Sequence, residues 1–167
     1  MDTERSALTV RPADLEGPDA EAVRRLVTAY LLQTEREKAV HLGHAFADGH
    51  VPGRYHPEIE NPARAYAGAE VLVAELGNSP VGVAVLQETA SEREIKRVWV
   101  DPGARGHRVG SALIDAALRK QDLPVRLTVW DWRGDAIRLY GKRGFRVVPA
   151  WDDRPRLLCM ERGPATR

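Results

Sequence analysis

The sequence predicts a single α/β domain in which helices pack against a mixed β-sheet. Segments typical of strands and helices follow one another in the order β-α-β-β-β-α-β-α-β-β along the 167 residues. Consecutive strand segments in the first half favour hairpins, whereas helices between strands in the second half favour crossovers. No internal repeat or domain boundary divides the chain, whose length is that of one ordinary domain. We therefore expect one domain over residues 1–167.

The first half begins with a strand and a long helix. Ala7–Arg11 alternates apolar and polar residues and stops at Pro12, as a short strand does. Asp19 is a candidate cap for a helix whose apolar positions follow helical spacing, namely Val23, Leu26, Val27, Tyr30 and Leu31. From residue 43 to residue 68 the pattern weakens into loops with one short helix near Pro62–Ala67. Because long irregular segments often carry function, we expect substrate contacts there.

The remaining elements are more regular. Glu70–Leu76 and Val81–Gln87 are predicted strands, and the turn Gly77–Pro80 between them favours a hairpin. The later elements are a strand at Glu94–Val100, a helix from Val109 to Ala117, a strand at Val125–Trp130, a helix at Asp135–Arg143, and strands at Phe145–Val148 and Leu157–Met160.

Composition argues against several classes of function. The net charge of +1, with both signs spread along the chain, gives no basis for a nucleic-acid or membrane partner. The single cysteine, Cys159, cannot form an internal disulfide and favours a reducing compartment. Asp2 and Glu4 are unlike the basic start of a signal peptide, and no apolar run approaches the length of a membrane span. We expect a cytoplasmic protein. No metal site is expected, because the histidines at positions 41 to 56 fit no compact ligand spacing.

A turn with glycine and arginine joins a predicted strand to a predicted helix within residues 98–114. After Pro102, the segment from about Gly106 to Ser111 offers successive backbone N–H groups at a helix start. A diphosphate matches such a row of donors; Gly106 is expected to take a positive φ and Gly110 to let another backbone come close. The alternative is that these glycines serve only tight packing. The turn lacks the Gly-Lys-Ser/Thr of nucleotide triphosphatases and is not the dinucleotide fingerprint.

Two segments resemble the GNAT superfamily of N-acyltransferases. Residues 98–113 fit V-x-V-x-P-x-x-R-G-x-x-V-G-x-x-L, which is similar to the family's acyl-CoA-binding motif. Residues 136–145, A-I-R-L-Y-G-K-R-G-F, resemble the family's A-I-x-L-Y-x-x-x-G-F segment at the usual separation. The resemblance implies a three-layer α/β/α sandwich on a mixed, mostly antiparallel sheet, and often a homodimer. It implies acetyl-CoA as co-substrate and a primary amine, most readily of a small molecule, as acceptor; a protein N-terminus or lysine is the alternative.

The same resemblance assigns residues to the coenzyme. The backbone of Val98, Trp99 and Val100 would pair with the pantetheine arm. The pyrophosphate would be held by Arg105, Gly106, His107, Arg108, Val109, Gly110 and Ser111. Arg133 and Tyr140 complete the implied contacts. Arg108 replaces the family's usual second glycine, where we expect a negative φ in the first helical turn, and Arg133 replaces an asparagine.

Amide formation from a thioester needs a stabilised oxyanion, a proton for the leaving thiolate and a neutral amine. The resemblance places the Val98 N–H at the thioester carbonyl. Tyr140 is the candidate proton donor, with an ordinary core tyrosine as the alternative. Glu94 is the candidate base, four residues before Val98 with matching side-chain parity; roughly 13 Å of strand would require a bulge or a water chain. The alternative is a surface or salt-bridged glutamate and an amine that loses its proton to solvent.

Other residues carry weaker expectations. A local set of basic residues is expected to contact coenzyme phosphates, namely Arg93, Lys96, Arg97, Arg105 and Arg108. Trp130 is expected to be a packing residue, with a wall of the acceptor site as the alternative. Asp152 and Asp153 either attract a cationic amine or form a solvated turn. The rival to an enzyme is a GNAT-fold protein that binds acyl-CoA as a sensor with little turnover.

Overall fold

The computed structural model describes residues 7–47, 49–120 and 122–164. Seven strands form one sheet with the order β1-β2-β3-β4-β5-β7-β6. The strands are β1 (Leu8–Pro12), β2 (Glu70–Leu76), β3 (Ser79–Glu88), β4 (Arg93–Val100), β5 (Val125–Trp130), β6 (Arg146–Val147) and β7 (Leu157–Arg162). Strands β4 and β5 run parallel, and every other neighbouring pair is antiparallel. The prediction of a mixed, mostly antiparallel sheet is therefore confirmed.

Helices cover both faces of this sheet. They are α1 (Asp19–Leu42), α2 (His56–Glu60), α3 (Pro62–Ala65), α4 (Val109–Ala117) and α5 (Gly134–Lys142). Helices α4 and α5 pack on one face, in a core that contains Leu113 and Leu127. Helix α1 packs on the other face, where Leu26 contacts the core built on Val73 and Val83. Burial of both apolar faces of the sheet gives the three-layer sandwich that the sequence predicts.

Two parts of the first half differ from the prediction. Asp19 is the first residue of α1 rather than its cap, and Pro18 holds the cap position without a side-chain hydrogen bond. The Asp19 carboxylate instead accepts the Asp14 N–H at 2.7 Å and two bonds from Arg11 at 2.7 and 2.9 Å. The irregular segment from residue 43 to residue 68 contains a 3-10 turn and two short helices rather than one, because a proline lies in the first turn of each of α2 and α3.

Strand β4 contains a β-bulge that opens the sheet. Opposite Ala84 of β3 lie two residues of β4, Arg97 and Val98. Arg97 has a φ of 56°, in the left-handed region. On the other side of β4, only Arg93 and Glu94 pair with β5, so the two parallel strands separate beyond that point. Among the described residues, no strand therefore pairs with the edge of β4 that faces β5 from residue 95 to residue 100, and a cleft opens there.

Candidate functional site

A cavity of about 970 Å³ occupies the cleft between β4 and β5. Its walls are the second half of α1, the length of β4, the turn before α4, the end of β5 with the start of α5, and the loop at residues 151–154. Twelve of the thirteen predicted site residues line it: Glu94, Val98, Trp99, Val100, Arg105, Gly106, Arg108, Val109, Gly110, Ser111, Arg133 and Tyr140. A concave site of this size is typical of small molecules and cofactors.

The turn before α4 presents backbone donors to the cavity. Gly106 has the predicted positive φ, at 88°. Helix α4 begins at Val109 without a side-chain cap, so the N–H groups of Val109, Gly110 and Ser111 have no acceptor within the helix. These residues line the cavity, and the helix dipole adds positive potential at the same end. The turn can therefore hold an anion.

Arg108 corrects one expectation. Its φ is 62°, not negative, because it is the cap residue that precedes the helix rather than a member of the first helical turn. It adopts the conformation that the glycine of the family motif would take without strain. Its side chain is exposed at the mouth of the cavity.

The expectation that another backbone comes close to Gly110 is wrong. A Cβ atom at Gly110 would meet only side chains, Leu139 at 3.5 Å and Val100 at 3.8 Å, so no backbone approaches it closely. His107 is exposed and does not line the cavity. Its N–H donates to the Ala104 carbonyl at 3.4 Å, which removes it from the row of free donors.

Tyr140 occupies the cavity wall formed by α5. It is 7% exposed, and its ring packs edge-on against Phe145 at a centroid distance of 5.9 Å. Burial raises the pKa of its hydroxyl above the ordinary value, with a smaller contribution from Tyr30. The hydroxyl is therefore protonated at neutral pH and available as a donor.

Glu94 lies at the closed end of the cleft, where β4 and β5 still pair. The predicted matching parity with Val98 is wrong, because the bulge inserts a residue between them. Val98 packs with the core beside α4, whereas Lys96, which shares the face of Glu94, pairs with Val85 of the α1 core. The Glu94 carboxylate lies 3.7 Å from the Lys96 ammonium.

Arg133 holds α1 against the start of α5. Its guanidinium donates to both oxygens of Glu37, at 2.9 and 3.0 Å, and to the Thr34 hydroxyl at 2.9 Å. Trp132 donates to the same carboxylate at 2.9 Å. Although burial acts to raise the pKa of Glu37, hydrogen bonds from Arg133 and Trp132 hold it below the ordinary value. The Arg133 side chain therefore forms one wall of the cavity as part of an ion pair with Glu37.

The basic residues around β4 do not form one cluster. Arg93 is buried outside the cavity and donates to Glu88, Asp122 and the Lys120 carbonyl. Arg97 pairs with Glu58 of α2 at 2.7 Å. Only Arg105, whose guanidinium lies over the Trp99 ring, and Arg108 remain beside the turn. The expectation of a shared phosphate-binding set is therefore wrong for Arg93 and Arg97.

The sequence does not predict the α1 wall of the cavity. Tyr30, Thr34 and Lys38 line it, whereas substrate contacts are expected from residues 43–68, and among the described residues of that segment Tyr55 alone lines the cavity. Lys38 is buried, with its ammonium 3.1 Å from Glu35 and over the Trp130 ring. The signal was present: these three residues recur every four positions and continue the buried stripe of α1 with polar side chains.

The remaining candidate residues lie either in the cavity wall or away from the cavity. Trp130 is buried and lines the cavity, and Cys159 is buried in β7. Asp152 lines the cavity, but two guanidinium nitrogens of Arg154 donate hydrogen bonds to its carboxylate. Its negative charge is therefore already paired. Within residues 7–47, 49–120 and 122–164, no histidine lines the cavity and no group of three metal-binding side chains occurs. In the same ranges, no helix is long and apolar enough to cross a bilayer.

Comparison with known proteins agrees with this architecture. A family model described as an acetyltransferase (GNAT) domain matches residues 67–147. A mycothiol acetyltransferase from Parafrankia sp. (strain EAN1pec) is 38% identical over 106 residues, covering 62% of this chain and 30% of that protein. A GNAT-family acetyltransferase from Staphylococcus aureus Mu50 superposes with a TM-score of 0.66 at 16% identity, over 94% of this chain and 99% of that one. The PaiA N-acetyltransferase from Thermoplasma acidophilum, solved with coenzyme A, superposes with a TM-score of 0.64 at 18% identity, over 94% of this chain and 99% of that one. Residues 67–147 of the chain therefore match the GNAT acetyltransferase family, and the fold is that of solved GNAT-family acetyltransferases.

Proposed function

We propose that this protein is an N-acetyltransferase that moves an acetyl group from acetyl-CoA to a primary amine of a small molecule, by direct attack in a ternary complex. One observation carries the proposal: a free strand edge, an uncapped helix start and a buried, protonated tyrosine line the same cavity. These are the three elements that thioester binding and amide formation require in one place.

The residues of the cleft suit an acyl-coenzyme A. The unpaired edge of β4 at Val98, Trp99 and Val100 offers backbone groups to an extended, amide-containing arm, as strands do in peptide recognition. The turn at Gly106 and the first N–H groups of α4 suit a diphosphate. Acetyl-CoA would supply the activated acyl group there.

The chain's own groups then provide the chemistry. The bulge takes Val98 out of the regular ladder with β3, and its N–H is the proposed donor to the oxyanion. The buried hydroxyl of Tyr140 donates a proton to the departing thiolate. Glu94 is the proposed base, acting through water from the closed end of the cleft, since the bulge turns it to the opposite face from Val98.

The acceptor is proposed to enter along α1. That end of the cavity is lined by the rings of Tyr30, Tyr55 and Trp130, which form a walled site rather than a flat protein-binding surface. The curated relative is named for acetyl transfer involving mycothiol, but the match spans 30% of its length, so its substrate is not carried over.

A thiol-release assay with acetyl-CoA and a panel of amines tests the proposal. Stoichiometric release of coenzyme A thiol and formation of an N-acetyl product with at least one small amine is the expected result. Tight coenzyme A binding in calorimetry with no thiol released by any amine would contradict it and would favour an acyl-CoA sensor. Light scattering during size-exclusion chromatography tests the homodimer that the family resemblance implies.

A further inference from the structure

Arg97 has a backbone conformation that its residue type disfavours. It lies in the bulge of β4 with a φ of 56°, in the left-handed region. Bulges with this geometry usually have glycine at that position, because a Cβ atom clashes with the backbone there. Such strain persists only where surrounding contacts over-determine the conformation.

The side chain of Arg97 is fixed by a carboxylate from another part of the chain. Its Nε donates to Oε1 of Glu58 at 2.7 Å, and its Nη2 donates to Oε2 at 3.0 Å. The Tyr66 hydroxyl donates to the same Oε1 at 2.7 Å, which fixes the carboxylate in turn. Tyr66 is 6% exposed, so this network is anchored in the core beneath α1.

Two aromatic rings complete the enclosure of the guanidinium. The Arg97 Cζ atom lies 5.3 Å from the ring centroid of Tyr55 and 5.7 Å from that of Tyr30. The exposed fraction of the side chain is 23% for Arg97 and 16% for Glu58. Although burial acts to raise the pKa of Glu58, hydrogen bonding to Arg97 holds it below its ordinary value. The pair is therefore ionised and held in a single geometry.

The consequence for the site follows from covalent geometry. The N–H of Val98 belongs to the peptide plane between Arg97 and Val98, whose orientation depends on the Arg97 backbone dihedrals. Resting on the proposed function, in which that N–H meets the oxyanion, we infer that the Arg97–Glu58 pair is a positioning device that holds the strained bulge and so aims the Val98 amide. Arg97 acts through the backbone and does not touch the reacting atoms.

A comparison of alanine and glycine at position 97 tests this inference. Arg97→Ala removes the pair but keeps the strain, so the bulge should relax and kcat should fall by about 10- to 100-fold, as misplacement of a catalytic group by about 1 Å does. Arg97→Gly also removes the pair but adopts the left-handed conformation freely, so most of the lost kcat should return. Glu58→Gln, which weakens the pair and leaves the arginine in place, should fall between the wild type and Arg97→Ala.

Arg54→Ala is the matched control. The Arg54 guanidinium also lies over the Tyr55 ring, at 4.6 Å, but it belongs to the 3-10 turn and not to the bulge. Its kcat should match the wild type. Equal impairment of Arg97→Ala and Arg97→Gly would overturn the inference, because it would mean that the side chain itself contacts the acceptor. Unchanged kcat in both variants would overturn it as well.

A structural readout separates this inference from the proposed function. In crystal structures of the two variants, residue 97 should leave the left-handed region in Arg97→Ala and stay there in Arg97→Gly. If no amine is turned over by the wild type, the proposed function fails, but these structures still decide whether the pair holds the bulge. An unchanged bulge in Arg97→Ala would overturn the inference whatever the activity.

Discussion

Replacing Arg108 by glycine should stabilise the protein and weaken its binding to coenzyme A at the same time. Arg108 precedes α4 with a φ of 62° and an exposed side chain at the cavity mouth. The residue therefore combines an unfavourable backbone conformation with a charge beside the proposed diphosphate site. Arg108→Gly removes both features, whereas Arg108→Ala removes only the charge. The pair of variants separates the two effects.

The magnitude follows from the backbone. A left-handed conformation costs a residue with a Cβ atom roughly 1–2 kcal/mol. Glycine avoids this cost. Its greater freedom in the unfolded chain, however, lowers the stability of the folded state by about 0.4–1 kcal/mol. The net expectation is that Arg108→Gly exceeds Arg108→Ala by about 0.5–1 kcal/mol in unfolding free energy, or about 1–4 °C in Tm for a chain of this length. Because a cation at the start of a helix is unfavourable, its loss should raise the unfolding free energy of both variants by a few tenths of a kcal/mol.

Denaturant unfolding and calorimetric titration with coenzyme A measure the two quantities. Both variants should lose the same factor in coenzyme A affinity, and the loss should shrink at high salt because the lost contact is ionic. Equal stability of the glycine and alanine variants would refute the backbone argument. Undiminished affinity in both would refute the proposed contact between Arg108 and the phosphates.

Three further predictions concern other parts of the molecule. Tyr140→Phe keeps the edge-on packing with Phe145 and should lower kcat by about 10- to 100-fold with unchanged coenzyme A affinity; equal turnover would reduce Tyr140 to a packing residue. Gly110→Glu should abolish coenzyme A binding, since it sets a negative charge beside the proposed diphosphate site, while the neutral Gly110→Gln should retain more affinity; identical affinities in titration calorimetry would mean that no diphosphate lies there. Hydrogen bonding by Arg11 lowers the pKa of Asp19 from 3.8 to about 2, so the stability it contributes is present above pH 3.8 and is lost as the pH falls toward 2. In Asp19→Asn, the unfolding free energy should depend less steeply on pH between pH 3.8 and about 2. An unchanged slope would assign the acid sensitivity to other carboxylates.

The sequence predicted the strands of the sheet well, because their signals are local. β2 and β5 have the predicted bounds because an apolar segment that ends at a turn can form few other structures. Gly106 takes a positive φ, as its residue type allows. Features decided by distant partners could not be predicted in this way. Arg133 replaces an asparagine in the motif, and nothing near it in the sequence indicates that its partner, Glu37, lies 96 residues away.

The bulge in β4 was the least predictable feature of the site. It was anticipated only as one way for Glu94 to reach a substrate, and its position at Arg97 removed the parity on which that argument depended. A glycine at position 97 would have indicated a bulge, but an arginine gives no such signal. The sequence therefore predicted which residues line the cleft more accurately than it predicted which way they face.

The left-handed residues give one more argument about the cleft. Apart from glycines, Arg97, Arg108 and Arg156 are the residues with positive φ in the part of the chain that the structure describes. Two of them have contacts that offset the strain, since Arg97 pairs with Glu58 and Arg156 pairs with Asp131 at 2.9 Å. Among the described residues Arg108 has no such carboxylate, although it lies at the mouth of the cavity beside the free N–H groups of α4. Strained residues persist where something holds them or where function requires them. An anionic ligand in the turn would give Arg108 the partner that its two counterparts have within the chain.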